Sequence, residues 1–195
     1  MRNFSESCQR NQEAILTTLS PWLRKSISLL EIGSGSGQHA IHFCARFPQL
    51  HWQCTDRGNW LADLGLNLAE TQLANLPPPL ELDVNRAWPL EKYDIIYTAN
   101  SLHIMSWDSV KALFSQLSEH LTQEGIFCCY GPFKYQNEFT SPSNANFEAW
   151  LQSRDRLSGV RDFEAVAQLA KEHYLDFMTD HLMPANNQLL IWQKR

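Results

Sequence analysis

The chain has 195 residues, 44% hydrophobic, 11% aromatic and 19% charged, a composition that can bury a sizeable core and excludes a linker, a fibre or a disulfide miniprotein. Sixteen Lys and Arg against twenty-one Asp and Glu leave a net charge of −5, and the basic residues are scattered, so no basic stripe offers itself to nucleic acid. Five cysteines without a Cys-x-x-Cys pair exclude a zinc knuckle or a disulfide frame, and no uncharged run is long and apolar enough to span a bilayer, which predicts a cytoplasmic protein with no membrane partner.

One domain over residues 1–195 is expected, with a helical flank over 1–25. In that flank Ile15, Leu16, Leu19, Trp22 and Leu23 recur at helical spacing, and Pro21 is expected to split it into two helices. Ile27 to Ile32 is a compact apolar run ending at a glycine cluster, followed by a helical face of Ala40, Ile41, Cys44 and Phe47 that Pro48 stops. Trp52 and Cys54 alternate in a second strand ending at Asp56. Trp60, Leu64 and Leu68 make the next helical face, and Leu80, Leu82 and Val84 alternate in a third strand.

Tyr93 to Ala99 is nearly continuously apolar, as a central parallel strand requires. Val110, Leu113, Phe114, Leu117 and Leu121 mark a helix that Gly125 is expected to close, and Ile126 to Tyr130 is a fifth strand. Gly131 to Asn146 reads as a long loop. Asp162 can cap a helix bearing Phe163, Val166, Leu169 and Ala170, and two closing strands, Leu175 to Asp180 and Gln188 to Trp192, predict an antiparallel hairpin around Pro184 to Asn187. Strands alternating with helices predict a doubly wound α/β sheet, whose ligand crevice lies at the carboxyl ends of the strands.

The sharpest motif stands there: Glu31-Ile32-Gly33-Ser34-Gly35-Ser36-Gly37, between the first strand and its helix. Glycines let backbone approach a ligand closely, and a helix start offers unpaired N–H groups. A dinucleotide fingerprint, Gly-x-Gly-x-x-Gly, would need glycine where this chain has Gln38, so the spacing argues against NAD. Asp56 lies nineteen residues beyond Gly37, near the distance of about 20 at which an acid reaches ribose hydroxyls in doubly wound folds.

This pattern resembles motif I of class I S-adenosylmethionine-dependent methyltransferases. Arg10-Asn11, Gly35-Ser36-Gly37-Gln38-His39-Ala40, His103-Ile104, Tyr130-Gly131-Pro132-Phe133, Ser143-Asn144, Arg161-Asp162 and Met183-Pro184-Ala185-Asn186-Asn187 are similar to the methyltransferase-like protein 26 family over nearly the whole chain. Ala14 and Phe147-Glu148 depart from that family, where Pro and Phe-Asp are expected. The resemblance implies a Rossmann-like sheet of seven strands, mostly parallel with an antiparallel last strand, and S-adenosylmethionine as cofactor. It implies that Gly33, Ser34, Gly35 and Gly37 pass under the methionine part and that Glu31 supports their loop. Asp56 would bind the ribose, Asp83 and Val84 would flank the adenine, and Asn100 at the fourth strand end would contact the cofactor.

His103, just beyond Asn100, can accept a proton from an attacking group, since an imidazole is largely neutral near pH 7; shaping the pocket is its plainer role. Tyr130, Phe133, Tyr135, Phe139, Phe147 and Trp150 can wall a sulfonium site, because aromatic faces attract cations, and core packing would explain several of them. Arg10, Asn11, Tyr130, Pro132, Phe133 and Asn144 are the candidate substrate contacts, with Ser143, Asn186 and Asn187 beside them. His39 and His42 lack a third ligand, so no metal is expected. Arg154, Arg156 and Arg161 interleave with Asp155 and Asp162 as a salt-bridged surface, or less simply as an anion clamp. The resulting expectation is a methyltransferase acting on a small molecule. The alternative is a non-catalytic module that binds the cofactor or a partner protein on the same fold.

Overall fold

The computed structural model describes residues 1–24, 28–88 and 91–195. Ile27 and the last residue of the expected N-terminal flank, Lys25, lie outside them. The elements run α1 (Glu6–Leu23), β1 (Ser28–Ile32), α2 (Gln38–Cys44), β2 (His51–Asp56), α3 (Gly58–Ala69), β3 (Leu80–Glu81), β4 (Tyr93–Ala99), α4 (Trp107–His120) and β5 (Leu121–Gly131). They continue with β6 (Phe133–Tyr135), β7 (Glu138–Phe139), α5 (Pro142–Arg154), β8 (Arg161–Asp162), α6 (Phe163–Glu172), β9 (Leu175–Met183) and β10 (Asn187–Lys194).

Seven strands form one sheet in the order β3-β2-β1-β4-β5-β10-β9. β10 is antiparallel to both neighbours, and β3, β2, β1, β4 and β5 are mutually parallel. Alternation along each strand feeds two cores. Leu29, Ile95, Tyr97, Cys128 and Ile191 join Leu19, Phe43 and Leu64 from α1, α2 and α3 on one face. Leu30, Ile96, Phe127, Cys129 and Trp192 join Phe114 and Leu117 of α4 and Val166 of α6 on the other. A one-residue register slip would exchange the two sets. The chain reverses its winding direction between β1 and β4, the switch point at which doubly wound sheets open a crevice.

Several sequence expectations are corrected. Pro21 does not divide α1, which runs unbroken to Leu23. Proline removes the N–H that would reach Thr17, and the Ser20 hydroxyl donates to the Thr17 carbonyl instead at 3.1 Å. α2 stops at Cys44, leaving Phe47 in the turn beyond it. β3 is two residues long, and Leu82 and Val84 are buried after it.

α4 ends at His120 rather than at Gly125, because Leu121 is already extended and pairs with Tyr93. Gly125 sits within β5, where a Cβ would lie 2.9 Å from the Thr122 carbonyl. The expected loop from Gly131 to Asn146 holds β6, β7 and the start of α5. β6 and β7 turn through Gln136 and Asn137, both left-handed (φ 53° and 64°). Their amides donate to Glu164 and Asp162 at the start of α6. Strands of three and two residues are too short to show a period.

Behind the sheet, Asn75 donates from Nδ2 to the carbonyls of Cys44, Phe47 and Leu50 and is 7% exposed. Asn75→Ala is expected to destabilise the protein by about 1–3 kcal/mol, the cost of stranding buried acceptors. Urea unfolding checks it: the midpoint should fall with an unchanged m-value.

Candidate functional site

The turn after β1 is knitted to β2. Gly33 and Ser34 donate to the Thr55 carbonyl at 3.1 and 2.9 Å, the Thr55 amide returns a bond to Ser34 Oγ at 3.2 Å, and the Gly35 amide donates to Asp56 Oδ2 at 2.8 Å. All three motif glycines are left-handed, with φ of 75°, 55° and 80°. They serve different ends. A Cβ on Gly35 would meet nothing within 4 Å, whereas one on Gly37 would press on Leu64 and Leu68 at 3.0 Å. Gly35 faces open space and Gly37 admits α3.

Gly33 and Gly35 line a cavity of about 520 Å³ together with Asp56, Asp83, Val84 and Asn100. That volume is within the range of small-molecule sites. The structure does not bring Glu31, Ser34 or Gly37 to this wall. Glu31, 2% exposed, turns into the core to accept Trp52 Nε1 at 3.0 Å. Ser34 is spent on Thr55, and Gly37 on packing. Ser34 and Gly37, expected under the ligand, thus serve the turn and its packing, and Glu31, expected to support the loop, is anchored to Trp52 just ahead of it. Trp60, expected on a buried helical face, is 37% exposed and lines the cavity, as do Arg57, Met105 and Asp155. Short of the structure, only its position one turn into the helix after Asp56 marked Trp60.

Asp56 holds its carboxylate by amides on both oxygens, Gly35 on Oδ2 and Arg57 on Oδ1, each at 2.8 Å. Burial still raises its pKa, the two amides opposing the shift. An acid whose folded pKa lies above its unfolded value binds more protons folded, so this group adds stability as pH falls and withdraws it as pH rises through that pKa. Asp83 moves the other way, lowered by the Asn85 backbone amide.

Asn100 is left-handed (φ 58°) although it is not glycine, a strained conformation of the kind found at sites. Its amide donates to the Tyr130 carbonyl at 2.8 Å. It lines the first cavity and also a second of about 450 Å³, whose wall includes Arg10, Asn11, Tyr130, Pro132, Asn144 and Phe147. Phe133 is not in that wall; at 1% exposed it belongs to the core beside α4 and α6, which corrects its assignment as a substrate contact. Of the six clustered aromatics, Tyr130 and Phe147 reach the second cavity. Tyr135 stacks on Phe163, and Trp150 stacks on Phe147 with Arg154 above it.

His103 is 6% exposed and lines neither cavity; its ring meets Phe147 edge-on with centroids 5.1 Å apart. Burial, with Arg161 nearby, lowers its pKa to about 4. This geometry does not match the expected base in contact with the reacting atoms. Arg161 is not a surface ion pair either. It donates to the carbonyls of Leu102, Met105 and Leu157, fastening the segment that carries His103.

Gln38, the residue that argues against NAD, accepts the Ser5 amide at 2.6 Å and donates to the Ser5 carbonyl at 3.1 Å, binding the start of α1 over the glycine turn. Among the described residues no three His, Cys, Asp or Glu side chains gather as a metal group, and no helix is long and apolar enough to cross a membrane.

Sheet order, antiparallel β10 and a glycine turn at the switch point define the class I methyltransferase fold, and solved structures agree. The S-adenosylmethionine-dependent methyltransferase SibL is similar over 96% of this chain and 55% of its own, with TM-score 0.81 at 16% identity. A putative O-methyltransferase from Nostoc punctiforme PCC 73102 matches 94% of this chain and 55% of its own at TM-score 0.82 and 15% identity. Human N-acetylserotonin methyltransferase in complex with S-adenosylmethionine matches 97% and 53% at TM-score 0.78 and 15% identity. The chain thus spans about half the length of these structures. It belongs to the family described as "Protein of unknown function (DUF938)", matched over residues 2–194.

The two glycines separate ligand space from packing. Gly35→Ala is expected to weaken binding of a ligand in the first cavity, at a strain cost of about 1–2 kcal/mol for the left-handed Cβ. Gly37→Ala, with the same strain plus overpacking of about 1–3 kcal/mol, should lower the melting temperature further. Thermal unfolding of both variants compares them.

Proposed function

We propose that this chain is an S-adenosylmethionine-dependent methyltransferase of the methyltransferase-like protein 26 family, working on a small molecule. The carrying observation is that two cavities meet at Asn100, one lined by the glycine turn and Asp56, the other by neutral polar groups and Arg10. The open backbone at Gly35 suits the methionine part. Asp56, with its carboxylate fixed by two amides, keeps lone pairs for ribose hydroxyls, and Asp83 and Val84 flank the adenine. S-adenosylmethionine, when bound, supplies an electrophilic methyl on a positively charged sulfur. Asp56, Asp83 and Asp155 outnumber Arg57 in that cavity, which suits a cationic ligand.

Arg10, Asn11, Tyr130, Pro132 and Asn144 would hold the methyl acceptor. Orientation of two reactants can by itself lower a barrier by roughly 7–11 kcal/mol, so a rigid second cavity is a mechanism in itself. His103 stiffens that wall through Phe147 and is a positioning residue. A cavity beside the glycine turn that can admit an acceptor favours an enzyme over a non-catalytic binding module.

Asp56→Ala is expected to weaken S-adenosylhomocysteine binding by at least roughly tenfold, a charged hydrogen bond being worth about 1.5–3 kcal/mol. In the wild type, affinity should fall on acidification, and at higher pH than an ordinary aspartate would require, because burial raises this carboxyl. Calorimetry across pH measures both, and NAD binding in place of the adenosyl compound would overturn the reading.

With an acceptor identified by release of S-adenosylhomocysteine, His103→Ala should raise KM with little change in kcat. Because its pKa is held to about 4, the wild-type rate should show no His103 titration from pH 5 to 9. A kcat loss of roughly 10²- to 10⁴-fold at constant KM would instead make it a base.

A further inference from the structure

A buried polar chain runs beneath the second cavity. Asn11 Oδ1 is 2.8 Å from His39 Nε2, His39 Nδ1 is 3.4 Å from the Tyr97 hydroxyl and 3.8 Å from Glu31 Oε1. Asn11, Glu31 and His39 are 7%, 2% and 3% exposed. Because an amide oxygen can only accept, it is His39 Nε2 that donates to Asn11. With that oxygen turned to His39, the Asn11 amide is the side that faces Tyr130 as a donor, which is the sense of its effect on a phenol whose pKa burial raises and Asn11 lowers. The phenolic proton of Tyr130 is then available to the cavity, which this residue lines.

Arg10 supplies the other strong donor. It is the sole formally charged side chain in that wall; its guanidinium touches Ser7 Oγ at 3.4 Å and makes no carboxylate pair among the described residues. The remaining polar groups are neutral amides and hydroxyls, with Ser143 and Asn144 from the first turn of α5, where a helix carries partial positive charge.

We propose that the second cavity selects an acceptor bearing one carboxylate, bound by the Arg10 guanidinium with the Tyr130 hydroxyl donating. This rests on the methyltransferase reading for the neighbouring cavity. A single guanidinium matches a monoanion in charge, and its fork matches a carboxylate in shape. A phosphate dianion would leave one charge uncompensated.

The test uses the full chain saturated with S-adenosylhomocysteine, whose own binding is measured first. Its failure to bind would overturn the neighbouring reading and leave carboxylate selection to be judged on the free protein. Benzoate, 4-hydroxybenzoate and phenylacetate are then titrated against their primary amides and against phenyl phosphate, by calorimetry. The acids should bind tighter than the amides by on the order of tenfold, a preference that salt weakens. Arg10→Gln should abolish it and Arg10→Lys restore it in part, with unchanged melting temperatures because Arg10 is exposed. Tyr130→Phe should cost the acids several-fold. Equal binding of acids and amides, no acid binding at millimolar concentration, tighter binding of phenyl phosphate, or a preference that survives Arg10→Gln would each overturn the proposal.

Discussion

The hydrogen bond from the Gly35 amide to the Asp56 carboxylate ties the turn after β1 to the end of β2, and the first cavity depends on it. A parallel strand pair leaves its carboxyl ends unjoined, since consecutive parallel strands are connected only through the helix between them. Asp56, Ser34 and Thr55 close that gap with side chains, so the backbone of Gly33 and Gly35 is held at a fixed height above the sheet. The same carboxylate is the group proposed to hold the ribose. Burial raises its pKa, so holding it ionised in the free protein costs stability, which ligand hydroxyls can offset.

A second constraint holds the other cavity. Asn11 belongs to α1, His39 to α2, Glu31 to β1 and Tyr97 to β4, and one polar chain links all four. Buried polar groups must be satisfied, so α1 cannot shift along the sheet without breaking several bonds together. Gln38 and Asn67 add contacts to Ser5 and Arg2 ahead of the helix. The N-terminal helix is therefore a fixed wall, and Arg10 is carried on a rigid mount.

The legible parts of the chain were those with long periods or obligatory residues. Tyr93 to Ala99 could be read as a central strand because both its faces are buried, and the hairpin of β9 and β10 because a four-residue link forbids a crossover. The glycine turn located a ligand crevice, yet spacing could not distinguish Gly35, whose missing Cβ opens space, from Gly37, whose missing Cβ admits Leu64 and Leu68. Proximity in sequence to Asn100 does not by itself put a side chain in a wall: Ser101, Ile104 and Met105 line the first cavity, whereas His103 between them lines neither. The polar chain through Glu31 and His39 is not legible in the sequence because its members lie up to 86 residues apart, from Asn11 to Tyr97.

The two cavities differ in charge sign as well as position. Acids predominate around the first and a lone guanidinium marks the second, so the proposed cationic cofactor and anionic acceptor would be sorted to opposite sides of Asn100. A cationic ligand in the first also favours an anion in the second, since opposite charges at close range attract more strongly in partly desolvated space than in water. In the proposed reaction, loss of the positive charge on methyl transfer would remove that attraction. On that proposal, the polarity of the two walls would weaken the hold on a product of the same anionic class once the reaction has run.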